Sequence, residues 1–170
     1  MTDGISIEVT FNNDNIEEIK NATQEAILVA LDAVGMQAAT LAARELQNNP
    51  SRIDTGLLRN SITHAVSGKP AAISEYTGSD THTDKSPSAV RRGIVGQPAP
   101  EPRSGSYSGT APDEGQGKEA VYIGTNVEYA AYVHEGTDRM APNRFLKNAI
   151  ERNKSEFEQI ISQELRKLSG

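Results

Sequence analysis

The sequence contains no cysteine in its 170 residues, which excludes disulfide bridges and thiolate metal sites. It also lacks any uninterrupted apolar run close to the ~18–20 residues of a membrane-spanning helix. Its first residues combine neither a basic segment nor a long apolar one, as a secretory leader would. A chain of this length predicts one domain. We expect a soluble protein, made in the cytoplasm, without a membrane partner.

Positive charge is the second shortage. The formal net charge is −6, from 17 lysines and arginines against 23 aspartates and glutamates. The first 50 positions hold eight acidic residues but only Lys20 and Arg44 as basic ones, whereas residues 120–170 carry seven of each sign. A protein that grips a nucleic-acid backbone is expected to carry a basic stripe. Nucleic-acid binding is therefore disfavoured as the main activity, although a ring lined by polar groups would let DNA pass.

The residue patterns of catalytic sites are missing as well. His134 and Glu135 are adjacent, so on a helix they point about 100° apart, and His82 lies in a polar segment; neither predicts a metal site. Residues 104–109 place serines among glycines but lack the strand and helix that flank a nucleophilic serine. No glycine-rich phosphate-binding pattern is present, and residues 115–118 lead into a strand, not a helix, which predicts a turn. We predict no catalytic, cofactor or metal site.

The N-terminal apolar pattern predicts a strand and then a long helix. Residues 5–11 alternate between apolar and polar, which is typical of a half-buried strand. Asp14 and Glu17 form a capping-box-like start, and helical spacing continues until Pro50 ends it. About 33 helical residues would span roughly 50 Å, more than the ~35 Å diameter of a compact domain of this size. Either the helix kinks at Gly35, or part of it packs on another chain.

Further on, the pattern predicts two more strands and a helical C-terminus. Asp or Thr at positions 54–55 can cap one helical turn, which leads into a strand carrying Ile62, His64 and Val66. Residues 120–124 form the next strand, and residues 129–135 a short helix that Gly136 ends as a left-handed cap. Pro142 starts a final helix over residues 143–168. We therefore predict an α+β fold: a small antiparallel sheet of three to four strands, packed with a long N-terminal helix and a C-terminal helix.

Residues 67–119 differ in composition from the rest of the chain. They hold eight of the 14 glycines and six of the eight prolines, and too few large apolar residues to offset the entropy of ordering. We expect a flexible loop within the single domain, whose extended pieces at 72–76 and 93–97 pair only if a partner chain supplies an edge. The core is expected over residues 4–66 and 120–168.

Surfaces for partner chains are predicted at two places. The alanine-rich face of the long helix suits close helix–helix approach, and the Gly/Pro/Ser-rich segment carries the only local basic cluster with a few apolar side chains. For that cluster a solvated loop and a contact to an acidic neighbouring subunit both remain open. The predicted contact residues are Ala26, Ala30, Ala33, Tyr76, Arg91, Arg92, Ile94 and Tyr107.

Residues 129–150 concentrate reactive groups, which raises the possibility of an active site. The spacing of Tyr129, Tyr132 and Val133 is instead that of packing residues, and the residues after Gly136 predict a turn into a docking helix. Glu135, Arg139 and Arg144 are close enough in sequence for ion pairs across that turn, typically worth under ~1 kcal/mol when exposed. We interpret this segment as a structural corner.

Two segments carry a resemblance to a known family. Residues 121–137 with 139–146, and residues 54–62 (DTGLLRNSI), are similar to the Tyr-Ala and Thr-Gly markers of tail-completion proteins of long-tailed bacteriophages and prophages, also called neck or head–tail joining proteins. The order of helix, Thr-Gly marker, variable segment, Tyr-Ala marker and final helix also agrees. The matching positions are Thr55, Gly56, Leu58, Arg59, Ser61, Tyr129, Ala130, Tyr132, Gly136, Thr137, Pro142, Phe145 and Leu146.

Three features depart from that family pattern. His134 stands where an acidic residue is common, and Asn143 differs from an Arg-Pro-Phe type of turn. Residues 67–119 form a longer variable segment than many relatives carry. None of these departures changes the implied fold, and the long segment leaves its own role open.

The resemblance implies a mechanical function. Members of the family form a ring, with six copies favoured, that completes the tail tube and docks it to the head connector. The implied partners are further copies of this chain, the connector or stopper protein, and the tail tube or tail terminator protein. DNA would be passing cargo, the location would be the virion, and residues 67–119 would become ordered on assembly. Other tail-assembly components are the nearest alternative; a small hydrolase or a nucleic-acid-binding protein is more remote.

Overall fold

The computed structural model describes residues 4–10, 22–48, 56–67, 74–78, 104–107 and 119–169. Their arrangement confirms the predicted α+β class, with small antiparallel sheets and helices at both ends of the chain. The strands are β1 (Ile5–Thr10), β2 (Thr63–Val66), β3 (Ser74–Thr77), β4 (Ser104–Tyr107) and β5 (Ala120–Thr125). The helices are α1 (Gln24–Gln47), α2 (Leu57–Asn60), α3 (Ala130–Glu135), α4 (Phe145–Arg152) and α5 (Lys154–Ser169).

The main sheet places β5 between β1 and β2, and both pair with it antiparallel. Ile7 lies opposite Ile123, and Val66 lies opposite Val121. Because side chains alternate between the two faces of a strand, one face of the sheet is apolar and packs on helices. The largest fully buried side chains of the core are Val34, Val121, Ile123, Phe145, Leu146, Phe157, Ile161 and Leu165.

Helix α1 begins later than the sequence pattern predicted. Thr23 is extended, with ψ of 153°, and its hydroxyl oxygen accepts a hydrogen bond from the Ala26 N–H at 3.3 Å. This N-cap satisfies a main-chain donor at the helix start, so a continuous helix from Asp14 is wrong; Asp14 and Glu17 lie outside the described residues. The 24-residue helix spans about 36 Å, so length alone no longer requires it to overhang.

Gly35 does not interrupt α1. The helix runs unbroken through this position, and Gly35 is buried. A Cβ built there would lie 2.7 Å from Val121 Cγ2 and 2.8 Å from His64 Cγ, closer than real Cβ atoms approach other carbons. The missing side chain therefore lets the helix axis approach the sheet, which a larger residue would prevent.

The predicted single C-terminal helix is two helices separated at Asn153. The side-chain amide of Asn153 donates to the Ala149 carbonyl at 2.7 Å, while its backbone N–H donates to Ile150 instead. The side chain thus replaces the backbone bond that would continue the helix. The first of these helices also starts at Phe145 rather than near Pro142. Leu168, near the end of the second helix, is 52% exposed.

Two strands occur inside the segment predicted to need a partner chain. β3 and β4 pair antiparallel with each other, Tyr76 opposite Gly105, so the same chain supplies the edge. The Asn60 side-chain amide donates to the Thr77 carbonyl at 2.7 Å and ties this ribbon to α2. The second predicted piece, residues 93–97, lies outside the described residues, as do Arg91, Arg92 and Ile94.

Helix α1 is long and apolar enough to cross a membrane by length and composition. Its inner side chains, among them Leu31, Val34 and Leu46, pack into the core instead. Core helices of globular proteins can have the same length and apolar composition. On its outer side, however, α1 leaves Val29 and Met36 exposed.

Candidate assembly surface

The corner after β5 is built around a buried histidine. His134 is 3% exposed and Phe145 is fully buried. Their rings meet nearly at right angles, 79°, with centroids 5.3 Å apart, the edge-to-face geometry that aromatic rings prefer. Ala130, also fully buried, packs on the same side of α3. These contacts dock α3 against the start of α4.

Gly136 turns the chain between these helices. Its φ of 81° and ψ of 179° are a combination open in practice only to glycine. The next residues form a tight turn in which Thr137 and Met140 exchange two main-chain hydrogen bonds. Asn143 then donates its backbone N–H to the Val133 carbonyl at 2.9 Å. The predicted positive φ at Gly136 is confirmed, but its extended ψ of 179° shows that it is not the left-handed helical cap that the sequence predicted. The glycine turns the chain at the corner between α3 and α4.

The two tyrosines of the corner do not pack as the sequence spacing predicted. Tyr129 is 39% exposed and Tyr132 is 64% exposed, whereas the inner positions belong to Ala130 and His134. The prediction was wrong because helical spacing selects a face but does not say which face meets the protein. Tyr132 is consequently a surface residue, with its aromatic ring in solvent.

Glu135 bonds to its neighbour rather than across the turn. Its carboxylate lies 2.7 Å from His134 Nδ1, although adjacent helical residues point apart. This hydrogen bond, aided by the charges of His134, Arg144 and Lys147, holds the pKa of Glu135 below its usual value of 4.5. Among the described residues no ion pair joins Glu135 to Arg139 or Arg144, so the predicted cross-turn pairs are absent.

A pH dependence follows for Glu135→Gln. A lowered folded-state pKa stabilises the fold above the unfolded pKa, and that contribution is lost as pH falls through the folded value. We expect the variant to be less stable than the parent near pH 7, with the difference closing below pH ~4. Thermal unfolding from pH 7 to 3 measures this, with Glu128→Gln, an exposed site, as the charge control. A difference that persists unchanged at pH 3 would contradict the carboxylate's role.

The Thr-Gly marker forms a second structural joint. The predicted cap by Asp54 or Thr55 lies outside the described residues. Gly56 precedes α2 with φ of 74°. Leu58 is buried, and the fully buried Ser61 donates its hydroxyl to the Leu58 carbonyl at 2.8 Å while sharing a hydrogen bond with Thr125. Arg59 donates to the Asn60 side chain at 3.1 Å. The marker therefore links α2 to the end of β5.

The surface most suited to a protein partner is the outer side of α1. It carries a row of residues, here called the outer row: Glu25, Val29, Ala33, Met36, Thr40 and Arg44. Met36 is 60% exposed and Val29 is 39% exposed, both unusual for large apolar side chains on a core helix. From Ala26 to Ala43 the helix has a single ionisable residue, Asp32. Because two large apolar side chains lie in solvent on a stretch with one charged residue, this face is a candidate interface.

Only part of the predicted contact set belongs to this surface. Ala30 is 1% exposed in the chain's own core, so its assignment as a subunit contact is wrong; Ala26 packs against that core, and Ala33 lies on the outer row. Tyr76 is half-buried and donates its hydroxyl to Asn126, whose amide donates to the Ser106 carbonyl. Tyr76 thus anchors the β3–β4 ribbon within the chain. Tyr107 belongs to β4.

Comparisons of this chain with protein-family models, curated proteins and solved structures found no match. The interpretation of the surface therefore rests on the residues themselves. Among the residues that the structure describes, no group of three or more His, Asp or Glu side chains could hold a metal ion.

Several structural residues had only weak signals in the sequence. His64 makes a 3.1 Å contact from Nε2 to Asp32 Oδ1, across the junction of α1 and β2. In the sequence, the glycine at position 35 within the apolar helix was the only indication that α1 approaches β2 closely at this point. Asn126, which joins β5 to the ribbon, followed a strand end and carried no such sign.

Proposed function

We propose that this chain is a structural subunit of the head–tail junction of a long-tailed bacteriophage or prophage. In this proposal copies form a ring, with six favoured, that completes the tail tube and docks it to the head connector. The resemblance in the Thr-Gly and Tyr-Ala markers motivates it. Its support in the fold is that Gly56, Ser61, Gly136 and Phe145 each hold a joint between elements.

One observation carries the proposal: the outer row of α1 leaves Val29 and Met36 in solvent, on a stretch of the helix with a single ionisable residue. Burying an exposed apolar side chain contributes roughly 25 cal/mol per Å², so this face gains free energy from covering. An assembly subunit needs such a surface. The net charge of −6 also suits a channel wall along which DNA passes without being held.

The test is a substitution on that surface in the phage that encodes the chain. Met36→Asp places a charge in the proposed contact. Because Met36 is exposed, the substitution should leave the core of the subunit unchanged. We expect full heads and tails without the completing ring to accumulate unjoined, with infectious particles reduced by about tenfold or more, as for a contact weakened by a buried charge. Electron microscopy of lysates and plaque counts measure this.

Gln159→Asp is the matched control, because it adds the same charge at an exposed position of α5. It should leave particle joining unchanged. If heads and tails join normally in the Met36→Asp phage, the outer row is not a contact used in assembly. Immunogold labelling of this chain on phage particles locates it directly. Label on the tail away from the neck would indicate that the chain is a different minor tail component.

A further inference from the structure

The outer row of α1 has a two-fold pattern of its own. Its midpoint lies between Ala33 and Met36, and Val29 and Thr40 lie at equal distances on either side. Glu25 and Arg44, at the two ends, are equally far from that midpoint. We propose that two free copies of this chain pair through this row, with their α1 helices antiparallel.

Polar groups along this stretch of α1 are already bonded within the subunit. Asp32 reaches His64, and Gln37 donates to Glu156 at 2.7 Å. The Thr40 hydroxyl donates to the main-chain carbonyl one turn earlier at 2.9 Å, which leaves its methyl group to the surface. The middle of the outer row therefore offers a partner apolar atoms without an unsatisfied polar group to desolvate.

The charges at the ends select the partner and its direction. Glu25 and Arg44 are exposed, and neither forms an ion pair with another described residue. In an antiparallel pair, Glu25 of each copy lies opposite Arg44 of the other, giving two ion pairs. A parallel pair would place glutamate against glutamate and arginine against arginine. Charge complementarity thus identifies the occupant as a second copy in the antiparallel direction.

The helices must cross at a shallow angle for these end contacts to form. Packing near +20° keeps side chains in contact along several turns, whereas a steeper crossing confines contact to the middle. The small side chain of Ala33 in each copy lets the two helix axes approach at the centre. Met36 of the other copy fills the space beside Ala33. Val29 then lies against Thr40 of the second copy.

Such a contact is isologous and closes at two copies. It is therefore the state of the free subunit and does not build the ring proposed above, which needs a head-to-tail contact. Assembly would open the pair and expose the same face. The inference does not rest on the proposed function, since it concerns the purified chain alone.

Cross-linking through engineered cysteines tests the arrangement, because the chain has no cysteine of its own. A disulfide requires Cα atoms within about 7 Å. In the proposed pair Val29 of one copy meets Thr40 of the other, whereas the two Val29 residues lie about 16 Å apart along the axis at ~1.5 Å per residue. A mixture of Val29→Cys and Thr40→Cys chains should form a disulfide dimer under mild oxidation. Neither variant alone should do so, nor should Gln159→Cys.

Charge reversal provides an independent measurement by sedimentation at low salt. Glu25→Arg alone, or Arg44→Glu alone, replaces both ion pairs by like charges and should raise the dissociation constant about fivefold to tenfold. The double variant should restore the parental value. Circular dichroism of each variant shows whether the fold is intact. A small loss of thermal stability is expected, because Glu25 lies in the first turn of α1 and Arg44 in the last, and each reversal opposes the helix dipole.

Three outcomes would overturn the inference. One is a monomer at every concentration tested, with no cross-link in the mixture. Another is cross-linking of Val29→Cys alone as readily as the mixture, which would mean a parallel pair. The third is a larger assembly without the Val29–Thr40 link, which would leave the ring proposal standing.

Discussion

Replacement of Phe145 by alanine is expected to lower the free energy of unfolding by about 3–5 kcal/mol. Phe145 is fully buried where α4 begins, and its ring packs edge-to-face on His134. Removing it leaves a cavity and withdraws the contact that docks α3 against α4. In a protein of this size the loss corresponds to a fall in melting temperature of roughly 10 °C. Urea and thermal unfolding measure both quantities.

Tyr132→Ala is the matched control from the same family marker. Tyr132 is 64% exposed, so its truncation should change the free energy of unfolding by less than about 0.5 kcal/mol. The contrast shows which side chains of this segment pack into the protein, because the two residues differ in burial. Equal losses from both variants would show that Tyr132 packs in the core as Phe145 does.

Gly35→Ala is expected to destabilise the protein by about 1–3 kcal/mol. At an exposed helical position the same substitution stabilises by about 1 kcal/mol, because glycine has the greater conformational freedom when unfolded. Here the added methyl group would meet the His64 ring and Val121 at distances below 3 Å. The His64 ring cannot swing away without giving up its contact with Asp32. Overpacking should therefore exceed the gain in helix propensity.

A double-mutant cycle with His64→Ala tests this cause directly. The loss from Gly35→Ala should be smaller in the His64→Ala background, because one of the two obstructing side chains is gone. Thr40→Ala, at an exposed position of the same helix, is the control for helix propensity and should lie within about 0.5 kcal/mol of the parent. A stabilising Gly35→Ala would refute the close approach of α1 to the sheet.

The strands of the main sheet were predictable because their signal is local. Alternation in β1 and β2, and the apolar run of β5, specify which side chains can face a core. The positive φ at Gly136 was predictable for a similar reason, since only a glycine after a helical pattern suits that turn. In each case the information lies in a few consecutive residues.

Helix ends were less predictable because several residues compete for the same role. Asp14 and Thr23 both suit an N-cap, and the structure shows the Thr23 hydroxyl in use. The sequence pattern allows Asn153 within a continuous helix. In the structure, however, its side-chain amide donates a hydrogen bond to the Ala149 carbonyl and interrupts the helix. Such choices depend on side-chain geometry that periodicity does not encode.

The amino-acid sequence by itself determined the class of the fold, the strands of the main sheet and the apolar character of α1. Only the tertiary structure decided which side of each helix is inside: His134 rather than Tyr132 in α3, and Ala30 inside but Met36 outside in α1. The physical reason is that local periodicity shows where apolar residues recur, whereas burial depends on what packs against them from distant parts of the chain. When apolar residues recur on more than one side of a helix, as in the middle of α1, periodicity does not show which side is buried. The packing of the sheet and of the C-terminal helices against α1 determines it.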